Sequence, residues 1–218
     1  MTSNLPESSA PSEAVPDAAD ASAPAGRKRP KPGERRVQIL QALAAMLEQP
    51  GADRITTAAL AARLDVSEAA LYRHFASKAQ MFEGLLDFTE ETIFSLINQI
   101  ESGQGSPSAK ARDIVLMLLG FAEKNPGMTR VLIGDAIVNE DSRLQSRVNQ
   151  LMERVEASLR QCLRLQRAES ESSGPLDPTL QSSLAMGFVQ GRWLQFAKSG
   201  FRKKPSDAAD VAVRFLFP

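Results

Sequence analysis

The sequence predicts an all-α fold, in which a small N-terminal three-helix unit precedes a larger helical bundle. Apolar residues recur at three- and four-residue spacing along most of the chain, which is the period of an amphipathic helix. Between residues 54 and 78 two short helical patterns are separated only by Asp65-Val66-Ser67, which leaves room for a tight turn. No segment alternates as a strand does, and no internal repeat is visible. Together these observations predict nine helices and no sheet.

Composition indicates a globular chain whose charge is unevenly distributed. The chain has 218 residues, 43% of them hydrophobic, with 26 acidic and 26 basic residues. Residues 1 to 26 contain four acids and no Lys or Arg, whereas the segment from Arg27 to Arg36 carries six bases against Glu34 alone. A local basic patch, and not the net charge, sets the field that a phosphate backbone meets. The neutral total therefore does not exclude a nucleic-acid partner.

The first thirty residues are rich in Ala, Pro, Ser and acids and have almost no large apolar side chains. Such a segment cannot bury enough surface to offset its ordering entropy, so we predict a disordered tail over residues 1–30. The basic junction behind it could lie as an arm against phosphates or in a minor groove, or it could be a solvated linker. This junction comprises Arg27, Lys28, Arg29, Lys31, Arg35 and Arg36.

The cysteine and histidine content argues against several kinds of site. Cys162 is the only cysteine and His74 the only histidine, so we expect no internal disulfide, no Cys/His zinc site and a reducing compartment. Nucleophilic catalysis by Cys162 or a serine would need a base, and the single histidine, His74, lies in the two-helix pattern between residues 54 and 78. The sequence also has no phosphate-binding loop. The N-terminus does not have the order of a secretory signal, and the apolar run Val115 to Phe121 is too short to span a bilayer. We expect a cytoplasmic protein that is not an enzyme and has no cofactor, metal or membrane insertion.

The N-terminal unit begins with a helix from Glu34 to Gln49 that should brace the two helices after it. Its apolar stripe is Val37, Leu40, Leu43, Ala44 and Leu47. The next helix carries Leu60, Ala61 and Leu64, with Thr56 and Thr57 as N-cap candidates, and the third carries Ala69, Leu71, Tyr72 and Phe75 behind the N-cap Ser67. Asp65 tolerates the positive φ that the turn requires, and Val66 should pack beneath both helices. In a helix-turn-helix, the second of these two helices enters the major groove.

Six helices are predicted in the bundle, and most begin at a recognisable cap. The first opens at the capping box Ser77-Lys78-Ala79-Gln80 and runs through Met81, Leu85, Phe88, Ile93, Leu96 and Ile100. Ala109 to Lys124 and Thr129 to Asp135 follow, then a long helix marked by Leu144, Val148, Leu151, Val155, Leu159 and Leu163. The charged faces of that long helix, with Arg143, Arg147, Glu153, Arg154, Glu156 and Arg160, are interpreted as solvated. After a polar loop over 168–176, Asp177-Pro178 opens a helix through Leu184, Phe188, Trp193 and Phe196, and the last helix runs from Ser206 to Phe217.

The helix-turn-helix resembles the DNA-binding domain of TetR-family regulators. The resemblance rests on Thr-Thr, Leu-Ala, Val-Ser, Leu-Tyr-Arg-His-Phe and Ser-Lys across residues 56 to 78. It implies a TetR-like fold that acts as a dimer, with a DNA-binding domain over 31–78 and a helical dimerisation and partner-binding domain over 79–218. The segments 120–130 and 141–154 are similar to one branch of that family, the nucleoid occlusion factors, and this likeness runs from about Arg35 to Gln161.

What the second resemblance implies is a division inhibitor that binds chromosomal DNA and, while bound, disrupts polymers of the tubulin-like protein FtsZ. The DNA face carried over from the family is Thr56, Thr57, Ser67, Glu68, Ala69, Tyr72, Arg73, His74 and Lys78. Thr57, Ser67, Tyr72 and Lys78 can donate to phosphates, while Glu68 can accept from cytosine N4 and Ala69 can approach a thymine methyl. A structural role remains an alternative for Tyr72 and for His74.

The resemblance also implies an FtsZ-binding surface on the first two helices of the bundle. The matched positions are Phe88, Met117, Gly120, Lys124 and Asn125, and Leu96 stands where that family can carry an arginine. The alternative is that Phe88 and Met117 are core residues at helical spacing and that Gly120 serves close helix packing.

A homodimer is expected because two half-sites require paired recognition helices about one helical turn of DNA apart. The aromatic side chains of the last two helices are the predicted interface, namely Phe188, Trp193, Phe196, Phe215 and Phe217. Several dimers could load on one DNA site. The rival function is a ligand-responsive transcriptional repressor, which would want an enclosed apolar cavity in the bundle.

Overall fold

The computed structural model describes residues 33–49, 55–169 and 176–217, which form nine α-helices, one 3-10 turn and no strand. The helices are α1 (Glu34–Leu47), α2 (Thr57–Arg63), α3 (Glu68–Tyr72), α4 (Lys78–Ser102), α5 (Pro107–Lys124), α6 (Pro126–Leu132), α7 (Ser142–Glu169), α8 (Pro178–Lys198) and α9 (Ala209–Leu216), with the 3-10 turn Asp135–Ile137 before α7. The predicted all-α fold is confirmed over this part of the chain. The predicted tail, the basic residues Arg27, Lys28, Arg29 and Lys31, and the loop residues 170–175 lie outside the described residues.

The buried face of α1 differs from the predicted one at two residues, because it includes Ile39 and does not include Val37. Ile39, Leu43 and Leu47 are at most 1% exposed, whereas Val37 is 53% exposed. The buried three follow one another at i, i+4 and i+8, while Val37 lies about 200° around the helix from Ile39. The assignment of Val37 to the core face was therefore wrong.

Local caps begin most of the helices, and the sequence predicted several of them correctly. The hydroxyls of Thr56 and Ser67 accept from the amides of Ala59 and Ala70, at 3.1 and 3.3 Å. The Ser77 hydroxyl accepts from the amide of Gln80 at 3.2 Å, but the Gln80 side chain accepts from the amide of Ala76 and not from that of Ser77. The capping box is therefore only half as predicted. Thr57 is the first helical residue of α2 and not its cap.

The predicted boundary of α6 was wrong by three residues. The helix was expected over Thr129 to Asp135, and it spans Pro126–Leu132, directly after α5. Pro126 at the first helical position explains the early start, since that position has no amide partner to lose and the fixed φ of proline suits a helix. The sequence pattern placed the proline with the stop of α5 and missed that it also begins the next helix.

The bundle packs around α5, α7 and α8, which contact one another along their lengths. Every residue of the predicted apolar stripe of α7, from Leu144 to Leu163, is buried. The charged faces of α7 were predicted to be solvated, but two of their arginines contact α4. The Arg147 guanidinium forms ion pairs with Asp87 and Glu90 of α4, and Arg154 pairs with Glu90 while its guanidinium lies 4.1 Å from the centre of the Phe94 ring. Two of the α7 arginines thus fasten α7 to α4.

Three of the aromatic residues predicted for a dimer interface are already buried within one chain. Trp193, Phe217 and Phe196 are 0%, 1% and 3% exposed, and the Trp193 indole nitrogen donates to the carbonyl of Leu118 at 3.1 Å. The interface prediction is corrected for these three, because a side chain inside the core of its own chain offers no surface to a second one. Phe188 is partly exposed and Phe215 is 83% exposed.

The N-terminal unit is joined to the bundle where the C-terminal end of α1 meets α6. A Cβ atom at Gly127 would overlap the carbonyl oxygen of Ala44, so only glycine allows this approach. The Arg130 side chain is buried, donates to the carbonyl of Leu47 at 3.4 Å and pairs with Asp135. Among the described helices, none is long and apolar enough to cross a membrane.

Candidate nucleic-acid interface

The turn between α2 and α3 closes without glycine. Asp65 adopts a φ of 53°, the left-handed conformation that was predicted for it, and the amide of Val66 donates to the carbonyl of Ala61 at 3.1 Å. The Val66 side chain is partly buried against the core beneath both helices. These contacts fix the angle at which α3 leaves the unit.

One side of α3 is anchored, and the other faces solvent. Leu71 and Phe75 are each 1% exposed and hold the helix to α1 and α4, whereas Glu68, Ala69, Arg73 and His74 are exposed. Tyr72 is 45% exposed, so it is not a buried packing residue. The predicted DNA-contacting residues of α3 are therefore open to solvent, as are the N-cap residues Thr56 and Ser67.

A side-chain hydrogen bond joins α2 to the first turn of α3. The Thr57 hydroxyl donates to the Glu68 carboxylate at 2.5 Å. Because the hydroxyl has one proton, this bond occupies the donor that the sequence analysis assigned to a phosphate. In this arrangement Thr57 orients Glu68, whose second oxygen is still able to accept a hydrogen bond.

The C-terminal end of α3 is held by an arginine that the sequence analysis had placed in the basic junction. The Arg36 guanidinium donates to the carbonyl of His74 at 3.1 Å and lies 4.1 Å from the centre of the Phe75 ring. Both contacts are to residues that are far away in sequence. The pattern of α1 gave no signal for them, although a basic residue near the C-terminal end of a helix is favoured by the helix dipole.

Lys78, the last residue of the motif, also has an intramolecular partner. Its ammonium forms an ion pair with the carboxylate of Glu140 and lies 5.8 Å from the centre of the Phe82 ring. Glu140 belongs to the connection between the 3-10 turn and α7. This pair was not predicted, because no local pattern connects positions 62 residues apart.

The residues predicted for FtsZ lie on α4 and at the C-terminal half and cap of α5, and exposure argues against a core role for Phe88 but not for Met117, which packs against the core. Phe88 is 59% exposed and Lys124 is exposed, while Met117 and Gly120 are partly exposed. A Cβ atom at Gly120 would meet no atom within 4 Å, so this glycine does not serve close packing inside the chain. Asn125 is also partly exposed, and its amide donates to the carbonyl of Phe121 at 2.8 Å. Leu96 is partly buried.

Comparisons with known proteins agree with the two parts of the fold. Residues 39–85 match the family described as bacterial regulatory proteins of the tetR family, and residues 108–218 match the SlmA-like family described as a tetracyclin repressor-like C-terminal domain. The chain is 49% identical over 178 residues to the nucleoid occlusion factor SlmA of Citrobacter koseri and to that of Escherichia coli strain K12. In each case 81% of this chain and 90% of the relative are covered.

Similar solved structures share the fold at low sequence identity. The fatty acid degradation regulator FadR from Bacillus halodurans has a TM-score of 0.70 at 15% identity, covering 86% of this chain and 97% of that one. The TetR-family regulator PfmR from Thermus thermophilus has a TM-score of 0.69 at 19% identity, covering 83% and 97%.

Proposed function

Since the chain belongs to the TetR family of bacterial regulatory proteins and, within it, to the nucleoid occlusion factors named SlmA, we propose that it is a DNA-associated inhibitor of cell division. It binds specific chromosomal sites as a dimer and, while bound, binds FtsZ and disrupts its polymers over the nucleoid. The observation that carries the FtsZ part is that Phe88 on α4 and Gly120 on α5 are both open to the surface, since neither residue is needed for packing within the chain.

The DNA part of the proposal places α3 in the major groove. Glu68 and Ala69 in its first turn read base edges, and the hydrogen bond from Thr57 presets the Glu68 carboxylate for a cytosine amine. Residues around this first turn contact phosphates and fix the register, namely Thr56, Ser67, Tyr72, Arg73, His74 and Lys78. The exposure of this surface and the rigid α2–α3 turn support the assignment.

The FtsZ part places an extended segment of that protein along the surface of α4 and α5. These helices are consecutive, joined by a short connection and in contact, and in such a helical hairpin Phe88 and Gly120 stand about equally far from the connection. Phe88 is then an exposed apolar anchor, and Gly120 leaves room for the segment on α5, which also carries the partly exposed Met117. Lys124 and Asn125 offer polar contacts at one end.

A second copy of the chain is placed on the outer face of α8. Small and apolar residues follow one another there at alternating four- and three-residue spacing, the repeat by which two helices pack side by side. The face comprises Leu180, Leu184, Gly187, Gly191 and Leu194, and its three leucines are 46 to 47% exposed. A Cβ atom at either glycine would meet no atom within 4 Å, so a helix of the second subunit can approach closely. This face replaces the buried aromatic residues in the dimer proposal.

The rival function, a ligand-responsive repressor, has one feature in its favour. A groove of about 590 Å³ lies between α7 and α8 and is lined by Ile133, Val148, Met152, Met186 and Leu194 among others. It is open to solvent and adjoins Gly187 and Gly191, whereas a small-molecule site is expected to enclose its ligand. We therefore assign this groove to the dimer contact.

The test is polymer sedimentation of FtsZ with GTP, in the presence and absence of DNA selected by this protein. Loss of pelleted polymer only when selected DNA is present is the expected result. If the selected DNA binds tightly and FtsZ polymers are unaffected, the proposal is wrong and a transcriptional repressor is favoured. Phe88→Ala should abolish the effect on FtsZ and retain DNA binding. Leu165→Ala, at a leucine of α7 that is 48% exposed, is the matched control and should change neither.

A further inference from the structure

The Lys78–Glu140 ion pair joins the proposed DNA surface to the bundle. Lys78 begins α4 directly after the cap Ser77, and Glu140 lies two residues before α7. The side chains are 24% and 16% exposed, so the pair is largely shielded from solvent. Among the residues that the structure describes, Glu140 is the acid that pairs with this ammonium.

The same ammonium is one of the groups assigned to a DNA phosphate. The Glu140 carboxylate and the phosphate therefore compete for the Lys78 ammonium. A lysine ammonium is a compact point charge that binds a carboxylate and a phosphate with similar geometry. Resting on the proposed DNA contact, we propose that Glu140 occupies the position of a phosphate oxygen in the free protein. DNA binding then exchanges the Lys78–Glu140 pair for a Lys78–phosphate pair and releases Glu140.

This exchange couples DNA binding to the segment that carries Glu140. The segment from Asp135 to Asp141 is held at both ends, because Asp135 pairs with Arg130 and Lys198 and Asp141 pairs with Arg143. Glu140 attaches this segment directly to Lys78 of the DNA-binding unit. Whatever strengthens the Lys78–Glu140 pair must weaken DNA binding, and by linkage DNA must loosen the segment by the same factor.

The experiment measures binding of the full chain to its selected DNA across a range of salt concentrations. Glu140→Gln keeps the shape of the side chain and removes the competing charge. It should tighten binding about threefold to tenfold at low salt and steepen the salt dependence by up to about 0.9 in log–log slope. Asp141→Asn is the matched control, since it removes the neighbouring charge that pairs with Arg143, and it should leave both quantities near the wild-type values.

A double-mutant cycle with Lys78→Met separates competition from simple repulsion between Glu140 and DNA. Competition predicts that Glu140→Gln has little effect once Lys78 is replaced. An equal gain in both backgrounds, or weaker binding by Glu140→Gln, would overturn the proposal. Glu140→Ala serves as a second variant, and circular dichroism checks that all variants are folded. Wild-type protein that selects no DNA would refute the proposed function, whereas normal wild-type binding with an inert Glu140→Gln refutes only the exchange.

Discussion

Arg36 is a basic residue whose contacts within the chain fix the position of α3. Its guanidinium bonds the carbonyl of His74 and covers the Phe75 ring, which fixes the C-terminal end of α3 on α1. From its charge alone, Arg36 was predicted to belong to a basic junction that is either an arm against phosphates or a solvated linker. Contacts between residues that are 38 positions apart depend on how α1 and α3 are packed, and helical periodicity carries no information about them.

Arg36→Met should weaken DNA binding about threefold to tenfold while leaving the salt slope unchanged, because it loosens α3 and removes no phosphate contact. Arg36→Lys should not restore the affinity, since an ammonium cannot both stack on Phe75 and reach the His74 carbonyl as a planar guanidinium does. The measurement is the salt dependence of binding. Arg35→Met is the neighbouring control, and a slope reduced by about one unit in Arg36→Met would instead identify a phosphate contact.

The helices illustrate which parts of this fold a sequence can predict. Caps such as Thr56, Ser67 and Asp177 were predictable because the side chain and the amide that it bonds are two or three residues apart. The α7 stripe was also predictable, since one face of a long helix is buried throughout. The exposure of Val37 was not, because it depends on the placement of neighbouring helices, whereas the start of α6 was missed because its local signal, Pro126, was read only as the end of α5.

Alanine at Gly127 tests the packing of α6 against α1, and alanine at Gly120 on α5 is the control. Gly127→Ala should destabilise the protein by about 1–3 kcal/mol, because the new methyl group overlaps the Ala44 carbonyl and must push α1 from α6. Gly120→Ala, where nothing lies within 4 Å, should instead gain up to about 1 kcal/mol from helix propensity. Urea unfolding measures both. Equal effects of the two substitutions would contradict the close approach of α6 to α1.

In the proposed dimer, substitutions on the outer face of α8 should change DNA affinity, because each subunit supplies one recognition helix. Gly191→Arg places a long charged side chain in the small-residue face and should convert the dimer to a monomer. Its DNA affinity should fall by about 10²–10⁴, since the second half-site no longer adds avidity. Light scattering and DNA binding are the two measurements. Val138→Arg, at a valine that is 75% exposed between the 3-10 turn and α7, should leave the dimer intact, and a monomer from that variant would contradict the α8 interface.

Asp135 ties three helices together, and its titration should appear in the acid stability of the protein. Its carboxylate accepts from Lys198 of α8 at 2.7 Å and from Arg130 of α6 at 3.0 Å, and Arg130 also reaches the last carbonyl of α1. Burial alone would raise the pKa of Asp135, but the hydrogen bonds from Lys198 and Arg130 outweigh it and hold the pKa below its usual value of 3.8.

A carboxyl whose pKa is lowered in the folded state contributes stability above its unfolded pKa and loses that contribution as the pH falls through the folded value. Asp135→Asn should therefore lower the urea midpoint at pH 6, and its deficit against the wild type should shrink as the pH falls through and below the usual aspartate range. Asp113→Asn, at an exposed aspartate of α5, is the control and should change the urea midpoint at pH 6 only slightly. A deficit for Asp135→Asn that stays constant under acid would mean that the Asp135 side chain acts through packing and not through its charge.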